Sequence, residues 1–334
     1  MKMPTVLRSN DWWDCKLIPL LFVGYMTIML WENNLMLHIG WLLFLIAAIS
    51  AGAIYVSILN DYTDLEFDIA SGKANRLEHF SPLKRTFILI ISILISVFFC
   101  YFFITDWVSL TFYLLAYLSF SLYSIPPFRF KNRGILGVLA DASGAHLFPS
   151  LFIVSSISHR LDAGIDPYWI TLVGIWAFSY GLRGILWHQF WDRENDLSIN
   201  HQTFATKTSL STIKSAEKII IGVEITSLIA ILITLGHILP FIALLCYMIL
   251  LLGYKRRLRY QLVLILSGNQ PWYIVMSDYY EVLLPYALIL ACSIQYPWCL
   301  ILLFFHLLFF PRKPILIVKS ILMMGFHRKL KIRR

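Results

Sequence analysis

Long apolar runs alternate with polar segments along this chain, and many of the runs approach the ~20 residues that cross a bilayer as a helix. Spans are expected at roughly 17–31, 36–59, 86–104, 107–125, 135–157, 168–190, 216–235, 238–254 and 281–310. The two-residue alternation of a membrane β-barrel is missing from them. The pattern predicts an all-α membrane protein with about nine transmembrane helices in a bundle. It forms a single transmembrane domain over 1–310, followed by a basic tail over 311–334.

Even-numbered spans are followed by long polar loops (60–85, 126–134, 191–215 and 255–280), and odd-numbered spans by short ones. Lys and Arg concentrate in the long loops, from Lys73 and Arg76 through Arg129, Lys131 and Lys207 to Lys255, Arg256, Arg257 and Arg259. The positive-inside rule places these loops in the cytoplasm. The tail is basic as well, which favours a cytoplasmic C-terminus, whereas nine crossings put it outside. Two resolutions stand: run 281–310 breaks near Tyr296-Pro297, or the tail is a basic interfacial helix on the outer face.

Composition supports the membrane reading. The chain is 59% hydrophobic and 14% charged, with a mean hydropathy of +0.71; soluble domains carry about 25% charged residues. The net charge of +9 lies mostly in loops, so it speaks for topology and not for nucleic acid. Five scattered cysteines without a CxxC read as buried small hydrophobes, not a disulfide or zinc framework. Met1–Lys16 lacks a cleavable signal pattern and reads as an interfacial segment.

Two acidic clusters break the apolar pattern. Asn60-Asp61-Tyr62-Thr63-Asp64-Leu65-Glu66-Phe67-Asp68 and Asp192-Arg193-Glu194-Asn195-Asp196 hold seven of the 19 Asp and Glu residues, and each follows a long apolar run. Crowded carboxylates at a helix end repel one another and persist most readily where cations offset them. In a helix Asn60, Asp64 and Asp68 share one face, as do Asp192 and Asp196. Oxygen-only clusters suit a hard divalent ion such as Mg2+, held by a few carboxylates plus phosphate oxygens and water. Two facing clusters could then hold a diphosphate and stabilise it as a leaving group. Basic companions (Lys73, Asn75 and Arg76 after the first cluster, Lys207 after the second) are of the type that caps phosphate oxygens. The bland alternative is loop charges balanced by acids.

These motifs resemble the UbiA superfamily of intramembrane prenyltransferases. Asn60, Asp61, Asp64 and Asp68 match its N-D-x-x-D-x-x-x-D motif, and Asp192 and Asp196 its D-x-x-x-D motif. Tyr123-Ser124-Ile125-Pro126-Pro127-Phe128-Arg129-Phe130-Lys131 is similar to the segment after the family's fourth span; Gly134 to Gly137, Leu139-Ala140-Asp141, Arg183-Gly184-Ile185 and His188-Gln189 continue the fit. Leu77 stands where the family often has proline, and Asn200 where it often has glycine, while Thr203 is kept. The resemblance implies nine helices around a central cavity that opens to lipid. An isoprenyl diphosphate would bind there through Mg2+ on Asn60, Asp64, Asp68, Asp192 and Asp196, and its prenyl group would pass to an unidentified acceptor, often aromatic. It places Arg129 and Lys131 near diphosphate or acceptor and Tyr123 near the reacting carbon.

Asp141 and His146 lie within the fifth span. Asp141 either orients an acceptor or pairs with Arg183 or a hydroxyl. His188, Gln189 and Arg183 either reach substrate or make interhelical bonds. Asp278-Tyr279-Tyr280-Glu281 opens the last apolar run, and its Tyr pair reads as an interfacial belt. Three other outcomes keep the metal site or the acids: a membrane terpene cyclase, a polyprenyl-phosphate phosphoribosyltransferase-like enzyme, and a cation-coupled transporter. The expected location is the cell (inner) membrane, acidic motifs facing the cytoplasm.

Overall fold

The computed structural model describes residues 13–32, 34–198, 202–266 and 271–332, with side chains to residue 325. The first twelve residues of the expected interfacial segment, and Asn200, lie outside the described residues. Among the described residues, eight helices are long and apolar enough to cross a membrane: α1 Trp13–Trp31, α2 Leu35–Ala70, α3 Pro82–Phe102, α4 Trp107–Ser124, α5 Ile135–Arg160, α6 Pro167–Trp191, α7 Leu210–Leu235 and α8 Ile238–Arg256. Their starts follow from local chemistry. Ser81, Asp106, Asp166 and Ser209 each accept a backbone N–H from the first turn they precede, and Pro82 and Pro167 open α3 and α6. α7 stops at Gly236, whose φ of 73° is the left-handed geometry of a helix end.

At 1.5 Å per residue, the 36 residues of α2 run about 54 Å, well beyond a hydrocarbon core of about 30 Å. Its last turns therefore continue past the apolar zone, and they carry the first acidic cluster. α1 is buried along nearly its whole length. α3 instead exposes Leu83, Phe87, Leu94, Val97, Phe98 and Tyr101, the face such a helix turns to lipid. In the core, Phe22, Trp176, Tyr180 and Tyr280 pack ring on ring, and Trp169 Nε1 donates to Thr27 Oγ1 at 3.2 Å.

The run expected as one span over 281–310 is two helices, α9 Tyr279–Gln295 and α10 Pro297–Phe309. Pro297 lacks the N–H that would continue α9. After α10 the chain bends by 86° into α11, Arg312–Ile332. Trp13 Nε1 donates to Phe309 O at 2.9 Å, and Lys313 pairs with Glu281 at 2.9 Å. α10 thus returns the chain to the end of the bundle where α1 and α9 begin. This resolves the conflict over the tail, because α11 starts on the side of the acidic motifs. Between α8 and α9 a small parallel ribbon forms, β1 Gln261–Val263 on β2 Trp272–Ile274, with Gln261 opposite Trp272.

α5 and α6 approach closely at Gly181, where an added Cβ would lie 2.8 Å from Ala142 O and 3.2 Å from His146 Cβ. Gly181→Val should force these helices apart and cost about 1–3 kcal/mol, the range for overpacking. Its thermal midpoint in detergent should fall clearly below that of the wild type, and an unchanged midpoint would refute the close-packing argument.

Candidate active site

The first acidic motif is helical throughout, as its spacing requires. Asn60 and Asp64 point toward the segment that follows α4. Lys131 Nζ donates to Asn60 Oδ1 at 3.1 Å and to Asp64 Oδ1 and Oδ2 at 2.5 Å each; Arg129 Nη2 donates to Asp64 Oδ1 at 2.7 Å. Asp61 turns inward, 1% exposed, with Arg76 Nη1 at 3.5 Å from its Oδ2. Asn75 folds the following loop back over the helix end. Its amide donates to Asp61 O and Asp68 Oδ2, both at 2.8 Å, and its Oδ1 accepts from Leu77 N at 2.9 Å.

Lys131 is 7% exposed. Burial pushes its ammonium pKa down from the usual value, and Asp64 only partly restores it. Two backbone features seat this lysine. Arg129 adopts the left-handed region at φ 36°, a conformation that costs a non-glycine residue energy and persists where the surroundings fix it. Gly137 lets the loop lie directly on α5, since a Cβ there would stand 2.7 Å from Phe130 O and 3.0 Å from Lys131 Cα. Lys73, Arg129 and Lys131 line a small cavity of about 140 Å³ together with Asp64 and Asp68.

The second motif closes α6. His188 Nδ1 lies 3.6 Å from Asp192 Oδ2, and Asp196 is 5% exposed. Arg193 Nε donates to Ala205 O at 2.8 Å, tying the motif to the short helix Phe204–Lys207 that Thr203 caps. Asn60 and Asp192 line one cavity of about 930 Å³, along with Arg76, Tyr123, Asp141, His146, Arg183 and His188. Tyr113, Tyr117, Phe120, Phe152, Tyr180, Trp187 and Trp191 add aromatic wall. Gln189 is buried and lines neither cavity, and Lys207 is exposed and lines neither.

Asp141 and His146 face the cavity where α5 widens into a π-type turn at Ser143–Leu147. Arg183 does not pair with Asp141. Its guanidinium forks onto Glu224 (Nε to Oε2 at 2.6 Å, Nη2 to Oε1 at 2.8 Å) and donates to Val275 O at 3.0 Å, while Tyr280 Oη donates to Glu224 Oε1 at 2.9 Å. Glu224 is 0% exposed; an acid in the middle of an apolar span was a visible signal of such a partner. Sequence reading also passed over Lys16 and Glu281, which line the cavity. The Tyr279-Tyr280 pair is no interfacial belt, since both rings are buried in the core; next to it, Ser277 Oγ donates to Glu281 Oε1 at 2.7 Å, and Lys313 pairs with Glu281 Oε2.

A family model described as the UbiA prenyltransferase family matches residues 17–272. No curated protein and no solved structure matches the chain.

If Gly137 seats Lys131, Gly137→Val should move the lysine off Asp64 and lower turnover at least tenfold, while the protein still inserts and elutes as a single species. Gly222→Val, at a position with nothing within 4 Å of its Cβ, is the control and should leave turnover near wild type. Equal rates in the two variants would dismiss the loop's role.

Proposed function

The chain belongs to the UbiA prenyltransferase family and is a membrane prenyltransferase, and we propose that it binds an isoprenyl diphosphate between its two acidic motifs and passes the isoprenyl group to an acceptor. The observation that carries this reading is a shared cavity. Asn60 of the first motif and Asp192 of the second line one aromatic-walled space of about 930 Å³, together with Tyr123 and Asp141.

Asn60, Asp64, Asp68, Asp192 and Asp196 would hold Mg2+. All are oxygen donors. Such donors suit Mg2+, which takes one or two carboxylates and fills its shell with phosphate oxygens and water. When bound, the ion supplies positive charge that makes diphosphate a better leaving group.

The chain's own residues do the rest. Lys73, Arg129 and Lys131 are placed to donate to non-bridging phosphate oxygens. Arg76 and His188 do so from the main cavity. The allylic C–O bond breaks and its electron pair leaves with the diphosphate. Tyr117, Phe120 and Tyr123 offer ring faces to the electron-poor carbon, and the enclosing wall keeps water away from it. The acceptor's nucleophilic atom bonds to that carbon and loses its proton, with Asp141 placed to orient it or take the proton. Lys16, Asp141 and His146 make this wall polar, which favours a separate acceptor, an aromatic one included, over capture of the cation by the prenyl chain itself. The basic loops beside the acidic motifs support a cytoplasmic orientation for them, with the cell (inner) membrane as the proposed location.

The test uses purified protein in detergent with Mg2+ and a panel of isoprenyl diphosphates, with and without host lipid extract, read by diphosphate release and mass spectrometry. Release that needs the extract and yields a prenylated adduct is expected. Release without it, with a hydrocarbon or terpene alcohol, would instead mean a cyclase. Asp64→Ala and Asp192→Ala should each lower turnover by about 10²–10³-fold, the usual cost of losing one charge-stabilising group. Chelation should abolish turnover and added Mg2+ restore it. Wild-type rates in either variant would overturn the site.

A further inference from the structure

Two of the five cysteines, Cys292 near the end of α9 and Cys299 in the first turn of α10, meet across the Tyr296-Pro297 break. They are 1% and 0% exposed, and their sulfurs stand 2.7 Å apart. Both are thiols in this structure. Unbonded sulfurs normally sit farther apart than this, and a covalent S–S bond spans about 2.05 Å. The turn itself brings them together: Tyr296 N donates to Cys292 O at 3.0 Å, and Cys299 N donates to Tyr296 O at 2.9 Å. With the backbone so fixed, the two side chains project into the same buried space.

Their place in the bundle bears on the chemistry. α10 opens beside the start of α2 at Leu35, the end opposite the acidic cluster at Asp61–Asp68. The positive-inside reading puts that end outside the cytoplasm, where thiols encounter oxidants and disulfides persist. Cys15, near the start of α1, is at the other end of the molecule. Cys100 lies on α3, half-buried, with its thiol donating to Ser96 O, and Cys246 is exposed on α8.

We propose that Cys292 and Cys299 form a disulfide in the mature protein, closing the α9–α10 hairpin. The reaction is thiol–disulfide exchange with a disulfide-bearing oxidant. The two thiols give up two protons and two electrons, the Cys292–Cys299 bond forms, and the oxidant's S–S bond breaks to two thiols. Because both sulfurs end up buried, the exchange takes place before the hairpin packs. The bond fastens α10 to α9 and so holds Lys313, at the start of α11 just past the far end of α10, in register with Glu281 in the cavity wall.

The experiment counts thiols. Membranes are lysed with N-ethylmaleimide present, and the purified full chain is denatured and its intact mass read with and without prior reduction. Three maleimides without reduction and five after it are expected. In Cys292→Ser the unreduced count should rise to four, since Cys299 loses its partner and Cys15, Cys100 and Cys246 remain thiols. Five adducts on the unreduced wild type would overturn the proposal. So would a count of three that falls to two in Cys292→Ser, since the bond would then join other cysteines.

Discussion

The bundle depends on the hold that Lys131 and Arg129 keep on Asp64. Carboxylates gathered at one helix end repel one another, and the repulsion grows where apolar surroundings lower the local dielectric. Here an ammonium and a guanidinium take Asp64, Arg76 stands at Asp61, and an amide takes Asp68. The partners come from two separate loops, so charge compensation also fixes where those loops lie. The 71–81 segment folds back because Asn75 binds α2 twice. The 125–133 segment folds in because Lys131 must reach two residues of the same helix.

A second compensated pair works deeper in the apolar zone. Arg183 and Glu224 are both buried, joined by two hydrogen bonds and met by Tyr280. A buried ion pair contributes little net stability, but removal of one partner leaves a charge that costs about 3–5 kcal/mol. What the pair gives is position. It ties α6, α7 and the start of α9 at one height, beside Gly181 where α5 and α6 touch. The wall that carries Asp141, His146 and His188 is thereby rigid on the side facing the core.

The span positions were legible because apolar length is nearly all that a membrane helix requires. So were the two acidic faces, because i, i+4 spacing along a helix leaves no other geometry. Run 281–310 was harder: Pro297 marked a break, but hydropathy cannot distinguish one long crossing from a hairpin that returns. The partners of the buried charges were legible only in part. Arg183 had two acids within plausible reach, and only packing chose Glu224 over Asp141. Lys16 and Glu281 looked like the ends of spans, and it is the inward turn of those ends that puts them in the cavity wall. Cys292 and Cys299 are seven residues apart, a spacing that shares a face in a continuous helix and brings the sulfurs side by side across this turn.

The return of α10 makes the cavity a late product of synthesis. Both acidic motifs, Lys131 and the Arg183–Glu224 pair are complete once the ribosome has passed residue 224. The wall still lacks Ser277 and Glu281, and Glu281 lacks its partner until Lys313 emerges. Neither α9 nor α10 reaches the ~20 residues that insert readily alone, so the two enter best as a hairpin with α11 trailing at the surface. A nascent chain thus carries every group of the acidic rim before it has an enclosed space in which to use them.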